Sequence, residues 1–352
     1  LLSGLIDMPF RPKKEKMPQS SSDFSQVKYA VTGAAGFIGS YFVQKLLKEN
    51  EASEILLIDT DPSFLERDCI APNKSQPYLG HTQFLSALQD KKLPKLQSIY
   101  HLGASSSTEE QRLDYLNEMN LNYSISLWRL CSENQFNFYY ASSAATYGDG
   151  ALGFDDSMEF FEKLQPLNPY GQSKLDFDLF VKKELAQRSP SPPHWGGFRF
   201  FNVYGPGESH KGSQASVVHH ARNQILKTGR LKLFQSHHPD FKDGMQLRDF
   251  IYVGDLYSVV EDFSQRKLKA GIYNLGTGKA QSFLDLAQAA FQALGKEASI
   301  DFIPTPMQLR EHYQYFTQAD LSHFKRAKLH CNFKDLAAGV QETYLEEKRK
   351  LI

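Results

Sequence analysis

The sequence predicts an α/β protein in which a doubly wound, mostly parallel sheet carries a smaller mixed α/β lobe. Three observations predict it. Near the start, a strand, a glycine-rich turn and a helix follow one another in the order a nucleotide-binding unit needs. Strand-like and helical segments then alternate. Residues 204–248 and 279–352 are less regular and richer in Pro, Gly and His, as a separate lobe would be.

Lys28-Tyr29-Ala30-Val31-Thr32 reads as the first strand, Gly33-Ala34-Ala35-Gly36-Phe37-Ile38-Gly39 as a G-x-x-G-x-x-G turn, and Phe37 to Asn50 has helical apolar spacing. Glu54 to Asp59 is the second strand, with Asp59 at its carboxyl end, where a dinucleotide fold places an acid on ribose hydroxyls. A pyrophosphate can rest on backbone N–H groups at a helix N-terminus only if no side chain intervenes, and the helix dipole favours its charge. The competing reading, glycines used only for tight strand–helix packing, loses ground because the strand, the helix and Asp59 are in register. Further strands are expected at Gln97 to Leu102, Asn137 to Ala141, Gly197 to Asn202 and Ile272 to Leu275. Helices are expected near Gln111 to Asn134, Tyr170 to Arg188 and Phe283 to Leu294.

Composition bounds the partners. Lys+Arg and Asp+Glu number 40 each among 352 residues, and 41% of residues are hydrophobic. That balance argues against a disordered chain and against bulk electrostatic binding of nucleic acid. No apolar run reaches the roughly 18 residues of a membrane span, so neither nucleic acid nor membrane is an expected partner. Cys69, Cys131 and Cys331 are odd in number and far apart, which suggests a reducing, cytoplasmic setting rather than a disulfide framework. No metal site is expected, since neither HExxH nor another ligand spacing occurs. Residues 1–26, with a basic cluster after a short apolar run and then serines, are expected to be a flexible tail. The remaining chain divides into a dinucleotide-binding part, 27–203 with about 249–278, and a substrate lobe, about 204–248 with 279–352.

The candidate catalytic pair is Tyr170 with Lys174. Four apart on a helix, they share a face, so the ammonium can stabilise a phenolate. With 17 Tyr and 27 Lys in the chain, roughly one such spacing arises by chance, and three occur: Tyr41/Lys45, Tyr170/Lys174 and Tyr344/Lys348. Only Tyr170 begins a helix soon after a strand ending in Ala141-Ser142-Ser143, on the edge where open α/β sheets bind ligands.

Together these residues resemble the extended short-chain dehydrogenase/reductases. The marks in order are the glycine turn, Asp59, His101-Leu102-Gly103-Ala104, Ser142-Ser143, Tyr147-Gly148, Tyr170-x-x-x-Lys174 and Arg248-Asp249-Phe250-Ile251-Tyr252-Val253. Within that family, four stretches are similar to a nucleotide-sugar 6-epimerase branch. They are Tyr140 to Gly148, Gly197 to Pro206, His210-Lys211-Gly212-Ser213 with Ala215-Ser216-Val217, and Phe316 to Leu321.

The resemblance implies a Rossmann-type fold and an NADP-assisted inversion at C6 of an ADP-heptose-type sugar, for lipopolysaccharide core supply. In it, Tyr170 takes the hydroxyl proton, Ser143 hydrogen-bonds the same oxygen, and Lys211 serves as a second acid/base. Gly33, Gly36, Phe37, Ile38, Gly39 and Asp59, then Leu102, Gly103, Ala104, Ser105 and Ser106, and finally Lys174, Val203 and Lys211 border the cofactor. Asn202, Ser213, His220, Phe234, Gln235, Ser236, His237, Arg248 and Tyr313 surround the sugar nucleotide. A homo-oligomer, homopentameric in the family, is implied as well. Independently of the resemblance, a guanidinium such as that of Arg248 suits a diphosphate through a bidentate fork.

Alternatives stay open at this point. Lys211 could be a phosphate-binding or exposed lysine, Arg248 could pair with Asp249, and His220 could be a packing or surface residue. Gln235, Ser236 and His237 depart from the family's Phe-Glu-Gly-Ser, Leu102 replaces an acid, and Met119, with Asn120 beside it, stands where Asn is usual. Leu79 to Phe84 departs from the family's adenine side, and Asp59 alone would suit NAD, with Arg67 or Lys74 as candidates to offset it. A 4-epimerase and a non-catalytic NAD(P)-binding protein on the same fold also remain. A 4,6-dehydratase is disfavoured by Ala144-Ala145 after Ser143.

Overall fold

A computed structural model describes residues 23–60, 76–310 and 313–349. The expected tail up to residue 22, and Arg67 and Lys74, lie outside the described residues. In chain order the first elements are β1 (Tyr29–Thr32), α1 (Phe37–Leu46), β2 (Ile55–Asp59), β3 (Tyr78–Gly80), α2 (His81–Gln89) and β4 (Ser98–His101). Then come α3 (Leu113–Leu116), α4 (Tyr123–Asn134), β5 (Asn137–Ser143), α5 (Pro169–Ala186), β6 (Trp195–Phe200), β7 (Asn202–Tyr204), α6 (Val217–Thr228) and β8 (Leu231–Phe234). The last are β9 (Leu247–Tyr252), α7 (Val253–Arg266), β10 (Gly271–Leu275), β11 (Ala280–Ser282), α8 (Phe283–Ala293), β12 (Ile300–Ile303), α9 (Met307–Arg310), α10 (Ser322–Arg326) and α11 (Leu336–Arg349).

The expected doubly wound sheet is present, with seven strands in the order β10-β6-β5-β4-β1-β2-β3. β1 lies parallel between β2 and β4, in the register Tyr29↔Ile55 and Tyr29↔Ser98. The strand residues explain this. Ile55, Leu56, Leu57 and Ile58 are all fully buried, the unbroken apolar run that a parallel strand covered on both faces requires. Smaller sheets join β11, β9 and β7, and β12 with β8. β11 runs antiparallel to β9 while β7 runs parallel to it, so the three-stranded sheet is mixed.

By contact the chain falls into two compact units, one running up to Ser142 and including Asn168–Gly197, the other Ser143–Leu167 with Phe198–Ile352. In the first, Trp128 packs edge-on against Trp195, ring centroids 5.1 Å apart, and against Phe138. In the second, the Tyr344 hydroxyl of α11 donates to the Val218 carbonyl at 2.8 Å, tying α11 to α6. Among the described residues no helix is long and apolar enough to cross a membrane.

Two elements differ from their sequence expectation. The single strand expected over Gly197 to Asn202 is split at Phe201, whose N–H still reaches the Leu275 carbonyl at 3.1 Å. Asn202 then pairs with Phe250 in the three-stranded sheet, so the chain changes sheets at that residue. The long helix expected near Gln111 to Asn134 contains a π-helical turn, Asn117–Asn122. A π turn adds a residue to the helix and rotates the residues beyond it, and here it buries Asn120.

One buried histidine links the first unit's strands and helices. His101, at the end of β4, meets the Thr32 hydroxyl of β1 at 2.8 Å through Nδ1 and the Ser124 hydroxyl of α4 at 2.9 Å through Nε2. Burial, reinforced by the nearby Lys174 charge, holds its pKa down at about 3 against an ordinary 6.5. The folded chain therefore keeps His101 neutral where the unfolded chain protonates it. This stabilisation is complete above pH 6.5 and is lost as pH falls toward 3. Urea unfolding at pH 7 and pH 5 is expected to show a loss of about 2 kcal/mol from this residue. His101→Gln should flatten that part of the pH dependence, and equal slopes in the two proteins would refute it.

Candidate active site

The first unit presents a dinucleotide cradle. Gly33 has φ +67°, and a Cβ on Gly39 would stand 2.0 Å from the Gly33 carbonyl oxygen, so α1 packs against the turn only because residue 39 has no side chain. A Cβ on Gly103 would stand 2.8 Å from the Gly33 nitrogen, which brings the Leu102, Gly103, Ala104, Ser105 and Ser106 segment against the same turn. Gly36 caps α1 without a side-chain acceptor. The helix that starts at Phe37, Ile38 and Gly39 thus follows an N-cap residue with no side chain of its own, as suits an anion at a helix N-terminus. Asp59 is fixed at the end of β2, its Oδ2 accepting from the Ala35 N–H at 2.9 Å and its Oδ1 from the Thr60 N–H at 2.7 Å. These residues fit a dinucleotide.

On the same unit, α5 starts at Pro169 behind Asn168, whose side chain accepts from the Gly171 N–H. Tyr170 is in the first turn and Lys174 one turn on. Lys174 is 5% exposed, and its Nζ donates to the Ala141 carbonyl at 3.0 Å. Burial pulls its pKa down to about 8, while the Asp178 charge works in the other direction. Asp178, a further turn along, accepts from the Tyr140 hydroxyl at 3.1 Å and the Ser142 hydroxyl at 2.9 Å.

The other two Tyr/Lys spacings have structural uses. Tyr41 is buried with Lys45 over its ring, and Tyr344 is spent on Val218.

Asn120 is a residue that sequence alone does not single out, because the family's usual Asn falls at position 119. Its side chain accepts from the Ser105 N–H at 2.8 Å and donates to the Ser105 carbonyl and the Ser173 hydroxyl, both at 3.0 Å. Ser173 in turn donates to the Tyr170 carbonyl at 2.8 Å. The loop at Ser105 and the start of α5 are thus joined by one buried amide. The adjacent Asn was the signal, and the π turn is what brings it inward.

The second unit holds the other candidates. Ser143 caps a short turn, its Oγ accepting from the Ala145 N–H at 3.1 Å, which leaves its hydroxyl proton to donate. Asn202 and Val203 line a cavity of about 200 Å³ with Ala215, Ser216 and Phe283. The Asn202 amide donates to the Asp249 carbonyl at 3.2 Å and the Thr317 hydroxyl at 3.1 Å. Lys211 and Ser213 do not line that cavity; they sit in the turn Ser209–Gln214. His220 Nε2 meets the Ser213 carbonyl at 3.4 Å.

The segment after β8 is held by its backbone. Gln246 donates to the Phe234 carbonyl, Gln235 N–H reaches the Ile303 carbonyl, Ser236 N–H the Asp243 carboxylate and His237 N–H the Tyr315 hydroxyl.

The Arg248 alternatives separate clearly. The Asp249 carboxylate accepts from the Thr277 N–H and hydroxyl, the Gly278 N–H and the Ala319 N–H. Arg248, 8% exposed, instead donates to the Leu247 and Gln314 carbonyls and lies over the rings of Tyr313 and Phe283. A buried guanidinium set against carbonyls and rings has chemistry suited to pairing with an anion.

Known proteins resemble this chain over most of its length. A Fusobacterium nucleatum subsp. nucleatum protein named ADP-L-glycero-D-manno-heptose-6-epimerase is 40% identical over 324 residues, covering 89% of this chain and 95% of that protein. The crystal structure of Helicobacter pylori ADP-L-glycero-D-manno-heptose-6-epimerase superposes with TM-score 0.74 at 23% identity, over 93% of this chain and 98% of that one. Thermus thermophilus UDP-glucose 4-epimerase, solved in complex with NAD, does so with TM-score 0.73 at 23% identity, over 93% and 100%. These bear out the family resemblance read in the sequence. With residues 29–276 matching its model, the chain belongs to the NAD dependent epimerase/dehydratase family.

Proposed function

We propose that the protein is an isomerase that interconverts ADP-D-glycero-β-D-manno-heptose and ADP-L-glycero-β-D-manno-heptose by inverting C6, with NADP as its bound dinucleotide. The observation that carries the reading is the buried Lys174, placed one turn after Tyr170 and titrating near 8. The 40% identity to a protein named for this reaction supports the substrate class. A nicotinamide dinucleotide, when bound, supplies a reversible hydride acceptor.

This chain's residues supply the proton chemistry. Tyr170 takes the hydroxyl proton as phenolate, and the Lys174 ammonium offsets the phenolate's charge. The Ser143 hydroxyl has a proton to donate to a sugar oxygen. Inversion needs the same carbon addressed from two faces, and a second proton-handling group suits this; Lys211 in the second unit is that group. Arg248 holds diphosphate charge. The dinucleotide is held by Gly33, Gly36, Gly39 and Asp59. The carboxylate of Asp59 favours an unphosphorylated ribose, whereas the family resemblance favours NADP.

Three outcomes are expected. Proton NMR of ADP-D-glycero-D-manno-heptose incubated with the purified protein should show the C6 epimer, and the nucleotide released on denaturation should be NADP; no inversion with or without added NADP would sink the assignment. Tyr170→Phe should lower turnover by about a hundred- to ten-thousand-fold, and Lys211→Met should also slow it; wild-type rates in both would exclude the two-base scheme. Since Lys174 is charged below about pH 8 and neutral above it, turnover should fall as pH rises through 8, and a flat profile to pH 9.5 would contradict its role.

A further inference from the structure

Glu208 is a buried carboxylate that the proposed mechanism leaves unused. It is 0% exposed and begins the turn that carries Lys211. Its Oε1 accepts from the Gly205 N–H at 3.3 Å and the Ser216 hydroxyl at 2.6 Å. Its Oε2 accepts from the Ser216 N–H at 2.7 Å and lies 3.9 Å from Lys211 Nζ. A carboxylate offers about four acceptor positions. Three are taken, and the fourth is on the oxygen nearest the lysine.

We infer that Glu208 is the positioning residue for Lys211, a fixed negative charge that keeps the ammonium in place and protonated until it acts. The inference rests on the proposed role of Lys211. The geometry suits it in two ways. Glu208 cannot follow the lysine, because the donors that hold it belong to Gly205, the residue after β7, and to Ser216, the N-cap of α6. At 3.9 Å the pair is an ion pair, not a hydrogen bond, so Glu208 acts on the ammonium through its charge.

The lysine side chain is 25% exposed. Burial lowers its pKa overall and Glu208 offsets part of that shift, while burial raises the pKa of Glu208 itself. Other titratable groups near the turn are His210 within it and His219 and His220 on α6. His219 faces Glu347 at 3.5 Å, and His220 reaches the Ser213 carbonyl.

The test reads Lys211 directly. In protein labelled with 13C-lysine, the Lys211 Cε signal is identified by its loss in Lys211→Met and titrated by NMR. Glu208→Gln should move the Lys211 midpoint about one pH unit lower, and Glu208→Asp, which keeps the charge but withdraws it by one carbon, should give an intermediate midpoint even if the Gln variant does not fold. The limb of the pH–rate profile that disappears in Lys211→Met should move in the same direction. An unmoved midpoint in the variants, with only a lower melting temperature, would overturn the inference and leave Glu208 a structural residue. Full turnover by Lys211→Met would overturn the catalytic reading beneath it, a result separable from the titration.

Discussion

Much of the first unit's arrangement depends on how one buried cation is kept. An ammonium taken out of water loses its hydration and must be compensated or give up its proton. Lys174 and Asp178, one turn apart on α5, grip three consecutive residues of β5: Lys174 takes the Ala141 carbonyl, and Asp178 the Tyr140 and Ser142 hydroxyls. The helix and the strand cannot slide past each other without leaving those groups unpaired. The same grip fixes Tyr170 at the start of the helix. Partial compensation is also what brings the lysine near neutral pH, since burial outweighs its one opposing charge.

A second lysine is handled differently. Lys211 is only partly buried and lies 3.9 Å from a locked carboxylate, whose charge offsets part of the downward pull of burial on its pKa. Arg248 completes the contrast: a guanidinium stays charged even when buried, and the structure surrounds it with carbonyls and aromatic faces. The even balance of 40 basic and 40 acidic residues thus conceals cations that are buried or partly buried, each compensated in a different way.

Much of this was legible beforehand because the chemistry constrains residue type locally. The glycine turn could be read because close approach of strand, turn and helix tolerates no Cβ at Gly39. The strands could be read because parallel strands buried on both faces must be apolar throughout, as Ile55 to Ile58 are. Tyr170 could be separated from Tyr41 and Tyr344 by its place after a strand end, and the structure gives those two tyrosines packing and hydrogen-bonding uses. What could not be read were partners distant in sequence. Whether Arg248 pairs with Asp249 was undecidable from adjacency, because along a strand successive side chains point to opposite faces. Asp249 turns to the 277–278 turn and Ala319 instead.

Residue order alone was enough for the doubly wound fold and for the glycine turn with Asp59 at the end of the second strand, and it was enough to single out Tyr170 and Lys174 as candidates, because each is written in spacing and residue type over a few turns of chain. It took the folded arrangement to establish that a π turn delivers Asn120 rather than residue 119, that Asp249 is structural, that the strand after Gly197 is divided between two sheets at Phe201, and that Glu208 stands beside Lys211. The physical reason is common to all four. Burial and hydrogen-bond satisfaction are properties of surroundings assembled from distant segments, and a side chain's local sequence does not contain them.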